Sequence, residues 1–203
     1  PMGPVYVCLP ADVLDQLNTE TIFPTSIPST KVAPDASLVD EAASLLAGAA
    51  RPRIYVGDGV AHSGAEAALT TVAEKLGAEV YGVDIGDLLM DTTHPCYQGT
   101  TGHMFGEASL PTLRGGDANL IVGTYMVPEV FPELGDIFDA EAPVVHIDLD
   151  AYEISKNRRV DLGVVADPKL TLQALATALD GHMTPAQRKA ADKRVDDLRR
   201  RRD

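Results

Sequence analysis

The stretch from Arg53 to Gly77 leaves this chain few ways to fold. Ile54, Tyr55 and Val56 form a short apolar run of β-formers, the pattern of a buried strand. Gly57 and Gly59 follow at once and permit a tight reversal. Ser63 is placed to cap a helix, and Glu66, three residues on, to complete a capping box. Ala65, Ala68, Leu69, Val72, Ala73 and Leu76 then recur along one helical face, with Gly77 just past its end. Such a turn aims backbone N–H groups and the positive end of a helix dipole at a ligand.

The rest of the chain repeats this alternation. Asp35 opens a helix whose apolar face is Leu38, Val39, Ala42, Leu45 and Leu46, ended by Gly48. Strands are expected at 79–83, 119–123, 143–148 and 161–166, and a short helix near 107–114 with Pro111 in its first turn. Residues 84–106 read as one long, polar, glycine-rich loop, and 124–142 as irregular. Asp167 caps a helix with Pro168 at its first position, closed by Gly181, and Thr184 and Pro185 begin a charged helix. Apolar strands alternating with helices define the expected class: α/β, a Rossmann-like three-layer domain with a mostly parallel sheet and helices on both faces.

Bulk properties narrow the partners. The 203 residues suffice for one well-buried domain plus appendages. With no Trp and 5% aromatics, its core must be aliphatic. No apolar run is long enough to cross a membrane, so a membrane is not expected as a partner. Two cysteines, Cys8 and Cys96, imply no disulfide framework and point to a reducing, cytoplasmic setting. The net charge of −13 argues against nucleic acid. Eight of the 17 basic residues lie within 182–203, interleaved with Asp192, Asp196 and Asp197, which reads as a solvated helix face or linker.

Two segments carry a family resemblance. Gly3-Pro-Val-Tyr-Val-Cys-Leu-Pro-Ala-Asp-Val13 resembles the last strand of the pyrimidine-binding domain of thiamine-diphosphate enzymes. Val144-Val-His-Ile-Asp-Leu-Asp-Ala-Tyr-Glu-Ile-Ser-Lys-Asn157, followed by Val164-Val-Ala-Asp167, resembles the end of their central domain, with His94-Pro95, Gly99, Gly102 and Gly106 in the loop between. The similarity is to the acetolactate synthase and benzoylformate decarboxylase group. It implies an enzyme that uses thiamine diphosphate and Mg²⁺ to make or break a C–C bond of a 2-oxo acid. Residues 1–10 would be the last strand of a missing pyrimidine-binding domain, and 11–34 a linker. Residues 35–181 would be the central domain, and 182–203 a charged helical tail leading to a missing diphosphate-binding domain. The expected partners are therefore the missing flanking domains of the same polypeptide, in a homo-oligomer. The family's Mg²⁺–diphosphate signature is Gly-Asp-Gly followed by Asn-Asn, and Gly57-Asp58-Gly59 has no such sequel. The fragment is thus expected to be non-catalytic alone.

Central domains of this family bind FAD, ADP or nothing. Flavin-binding members carry an arginine soon after the glycine that ends the strand after the long loop. Gly123-Thr-Tyr-Met-Val-Pro128 has none, which argues against FAD, with ADP or no ligand as the other expectations. Gly57, Gly59, Asp148 and Asp150 are the candidate cofactor-binding residues, the two aspartates as acceptors for a ribose at the carboxyl end of a strand. The competing reading makes the glycines a packing device and the aspartates loop caps. A free-standing nucleotide module or NAD-dependent enzyme is the alternative function. Against it, His62 stands where the dinucleotide fingerprint needs its third glycine, and only Glu79 and Asp84 approximate its acidic residue. Asp84, Asp87, Asp91, His94, Cys96 and His103 crowd one loop, but at spacings that fit no compact metal motif, and Cys96 with His94 or His103 is the one conceivable nucleophile–base pair.

Overall fold

The structure, a computed structural model, describes residues 6–83, 86–101, 107–126, 135–156 and 158–202. A single sheet of six parallel strands forms its centre, in the order β3-β2-β1-β4-β5-β6. The strands are β1 (Pro52–Val56), β2 (Glu79–Gly82), β3 (Tyr97–Thr100), β4 (Ala118–Val122), β5 (Val144–Asp148) and β6 (Leu162–Val165). Chain direction across the sheet reverses between β1 and β4, and ligands of open α/β sheets bind outside the carboxyl ends at such a point.

The period of two along each strand sorts the apolar side chains onto two faces. Ile54, Val56, Leu120, Val122, Val145 and Ile147 join the larger core. The helices that cover it are α2 (Ala36–Ala47), α4 (Glu66–Leu76), α6 (Pro168–His182) and α7 (Pro185–Arg202). Tyr55, Ile121 and Val144 point the other way, into a smaller core with Leu113, Met126, Ile137 and Phe138. Part of that face is covered by α5 (Leu110–Arg114), which carries Pro111 in its first turn. The buried residues of the first core are mainly aliphatic, but the expectation of a wholly aliphatic core fails in the second. The second holds the stacked pair Tyr55–Tyr81 and the tilted pair Tyr55–Phe138.

Helix ends follow the expected side-chain chemistry at several points. Asp35 accepts the Ser37 amide at the start of α2, and Asp167 the Leu170 amide at the start of α6. Thr184 and Gln187 form a reciprocal capping box before α7. Gly77 closes α4 in the left-handed region at φ 60°.

Three local expectations need correction. Ser63 caps nothing: its hydroxyl donates to the Val60 carbonyl at the end of α3 (Asp58–Ser63). The helix breaks at Gly64, left-handed at φ 65°, and α4 restarts behind Ala65 with no side-chain cap. The loop 84–106 contains β3, a half-exposed edge strand whose polar sequence Tyr-Gln-Gly-Thr hides its pairing with β2. Residues 6–10, within the segment expected to be the last strand of a missing domain, pair with nothing among the described residues. Pro4 and Val5 lie outside the description. Within the stretch read as a linker, Ala11–Leu14 forms one helical turn, α1. Gly181 does not end α6, which continues through His182 to a cap at Met183.

The charged tail is more than a solvated face. Ala191, Val195 and Leu198 of α7 are buried in the larger core. Arg194 donates to the Leu76 and Gly77 carbonyls, satisfying the open end of α4. The three apolar residues at helical spacing were masked by the surrounding charge.

Candidate functional site

The turn after β1 brings Gly57 and Gly59 against the end of β4. Gly57 donates its N–H to the Val122 carbonyl at 3.2 Å, and Gly59 donates to the Gly123 carbonyl at 2.9 Å. A Cβ on Gly59 would stand 2.5 Å from the Gly123 Cα, and one on Gly57 2.5 Å from the Thr124 Cβ. Gly123 has φ 61°, and a Cβ there would stand 2.7 Å from the Gly59 Cα. Three glycines thus let two segments of main chain touch. The expected free amides are bonded within the fold. Asp58 accepts the Asp87 amide at 3.0 Å, which ties the turn to the segment after β2.

Asp148 ends β5 and Asp150 follows it, on the same edge of the sheet as the glycine turn. One Asp148 carboxylate oxygen accepts the Asp150 amide at 2.8 Å, and one of Asp150 accepts the Tyr152 amide at 2.9 Å. Each carboxylate keeps a second oxygen. Burial, reinforced by the charges of Asp150 and Glu153, pushes the Asp148 carboxyl above the ordinary aspartate range. Below the chain on β5, His146 is buried and its Nε2 lies 2.9 Å from the Thr124 carbonyl. A carbonyl only accepts, so Nε2 carries the proton. Burial holds the His146 pKa below the ordinary histidine value and so keeps the ring neutral. The segments around His146 and Thr124 stand out in the sequence, but nothing there links the two; their pairing depends on β4 and β5 being neighbours.

The crowded loop separates on folding. His94 lies 3.3 Å from Glu74 through Nε2 and accepts the Cys96 amide through Nδ1. Cys96 is buried, and desolvation pushes its thiol up to about 12, the reverse of what a nucleophile needs. Among the described residues no three His, Cys, Asp or Glu side chains gather as metal ligands. Asp84 and His103 lie outside the description. His62 sits in the last turn of α3.

With this geometry in view, comparison with known proteins is direct. Residues 39–175 match the model of the thiamine pyrophosphate enzyme central domain, and the chain belongs to that family. It is 33% identical over 195 residues to an acetolactate synthase of Mycobacterium bovis, an alignment covering 94% of this chain and 31% of that protein. It resembles the X-ray structure of a putative thiamin diphosphate-dependent enzyme from Mycobacterium smegmatis, with TM-score 0.65 and 26% identity over 77% of this chain and 30% of the other. The fold is also that of benzoylformate decarboxylase from Polynucleobacter necessarius, with TM-score 0.63 and 20% identity over 83% of this chain and 31% of the other. The chain therefore spans under a third of these relatives' length.

The family implies thiamine diphosphate, yet the residues here do not fit its diphosphate and metal. The Gly57 and Gly59 amides already have carbonyl acceptors, and the Asp58 carboxylate already holds the Asp87 amide. No step of that cofactor's chemistry is assigned to these side chains. No helix among the described residues is long and apolar enough to cross a membrane.

Proposed function

We propose that this chain is the non-catalytic central domain of a cytoplasmic, thiamine-diphosphate- and Mg²⁺-dependent enzyme that makes or breaks a C–C bond of a 2-oxo acid. The family match over residues 39–175, with an acetolactate synthase among the relatives, carries this reading. In it, the domain spaces the flanking domains of the same polypeptide within a homo-oligomer. Apolar side chains exposed along the first 30 residues support such partners: Tyr6, Leu17, Ile22, Phe23 and Ile27 are each at least 78% exposed. The reading frame encoding the chain tests the proposal. A Gly-Asp-Gly followed by Asn-Asn beyond residue 203 supports it, and a frame without that signature contradicts it.

We further propose a nucleotide role for the crevice at the switch point. The remaining acceptor capacity of Asp148 and Asp150 would take the hydroxyls of an ADP ribose, beside the turn that Gly57 and Gly59 pack against the end of β4. The support is their shared position at the carboxyl edge of β1, β4 and β5. A thermal-shift panel with ADP, FAD, NAD and thiamine diphosphate plus Mg²⁺ is the test, since a ligand of the folded state raises the melting temperature. A rise with ADP and with neither NAD nor thiamine diphosphate is expected; no rise with ADP would contradict this role.

A further inference from the structure

The opposite end of the sheet carries a second polar concavity. It is a cleft of about 330 Å³ between α7 and the amino ends of β1 and β2. Arg51, Arg53, Arg194 and Arg201 line it with the carboxylates of Glu79 and Asp197, and a third carboxylate, Asp117, adjoins it by holding the Ala50 and Arg51 amides. In a chain of net charge −13, that is a local reversal of sign. The sequence prepares it twice: by the pair Arg51 and Arg53 flanking Pro52, and by positions 194, 197, 198 and 201 on one face of α7.

The carboxylates do not use up this charge. Glu79 lies 3.1 Å from Arg53 and accepts the Tyr81 hydroxyl. Arg201 reaches Glu79 only at 3.7 Å, with its side chain 71% exposed. Asp197 lies 3.5 Å from Arg200, outside the cleft. Arg194 bonds two main-chain carbonyls and, among the described residues, makes no ion pair. It is half-buried there, where desolvation lowers its pKa and the nearby Asp117 charge partly offsets that. The Arg51 side chain has no hydrogen-bond or ion-pair partner among the described residues, and Arg53 Nε is buried and unbonded.

We propose that this cleft binds the phosphoryl group of a small phosphorylated molecule, through Arg51, Arg194 and Arg201. A dianion with three acceptor oxygens matches three guanidinium groups that have donors to spare. A carboxylate, with one charge, competes poorly with Glu79 and Asp197, which are already present. The volume leaves room for a carbon stem beside the phosphoryl group. The site is independent of the ADP crevice, at the other end of the strands.

Titration of the whole ¹⁵N-labelled chain tests it, with inorganic phosphate and glycerol 3-phosphate as probes and sodium chloride matched in ionic strength. Saturable shifts are expected at the Arg51, Arg53, Gly77 and Glu79 amides, with glycerol 3-phosphate binding more tightly than phosphate. Arg51→Gln and Arg201→Gln, both at exposed side chains, should each weaken binding about tenfold. Lys169→Gln, at the opposite end, should leave it unchanged. Shifts that merely follow ionic strength, or that centre on Asp58 and Asp148, would overturn the proposal. So would arginine variants that bind like the parent, or glycerol 3-phosphate binding no tighter than phosphate.

Discussion

At the carboxyl end of the sheet, the turn after β1 spends its amides on the main chain of β4, and Asp148 and Asp150 hold neighbouring amides. At the amino end, guanidinium groups of β1 and α7 surround a cleft with donors left over. The carboxyl end has the more suggestive sequence, and the amino end the less satisfied chemistry. A glycine pattern states that the main chain comes close to something. Only the fold states whether that something is a ligand or another strand.

The largest expected effect falls on the glycines. Gly59→Ala drives a methyl into Gly123 main chain, which cannot rotate away. It should cost about 3 kcal/mol in urea unfolding. A cost near zero would mean that the turn stands open and that the two ends differ less than described. At the other end, Gly77→Ala combines a left-handed φ of 60° with a Cβ 2.5 Å from the Ala191 carbonyl. About 2 kcal/mol should be lost, with faster amide exchange along α7. Unchanged exchange in α7 would show that the helix does not depend on this close approach.

Asp167→Ala sharpens the comparison, because the side chain occupies an amide at the start of α6 that a ligand would otherwise meet. A loss of about 1 kcal/mol is expected in the same assay. The smallest effect is one of pH. Burial depresses the His146 pKa below 6.5, so its contribution is complete above 6.5 and is lost as the pH falls through the folded value. Stability of the parent chain should therefore decline on acidification below 6.5. In His146→Gln, which keeps a donor for Thr124, the same plot should be flatter. Equal slopes would remove His146 from the account of how β5 is tied to the segment after β4.

Much of the fold was legible because burial imposes a period. Ile54, Val56, Leu120 and Ile147 sit in strands whose apolar runs mark them directly, and Asp167-Pro168 marks a helix start by local chemistry alone. Strand β3 escaped because an edge strand needs little apolar sequence, and Gly99 sits in it at φ 105°. The break at Gly64 escaped because Ser63 and Glu66 have the spacing of a capping box whether or not the chain uses it. At the crevice, the placement of Asp148 and Asp150 at a strand end was readable, but the use of the Gly57 and Gly59 amides was not. Their acceptors lie on β4, more than 60 residues away in sequence. The arginine cleft was invisible for the same reason: its two halves, Arg51–Arg53 and Arg194–Arg201, meet only through the docking of α7.

The most direct measurement is amide hydrogen exchange at Gly57 and Gly59, with and without thiamine diphosphate and Mg²⁺. If the glycine turn is a packing device, both amides are protected as strongly as those of β4, and the cofactor changes neither. Exchange at the rate of an exposed loop, slowed by saturating thiamine diphosphate, would show that the turn is a diphosphate cradle after all.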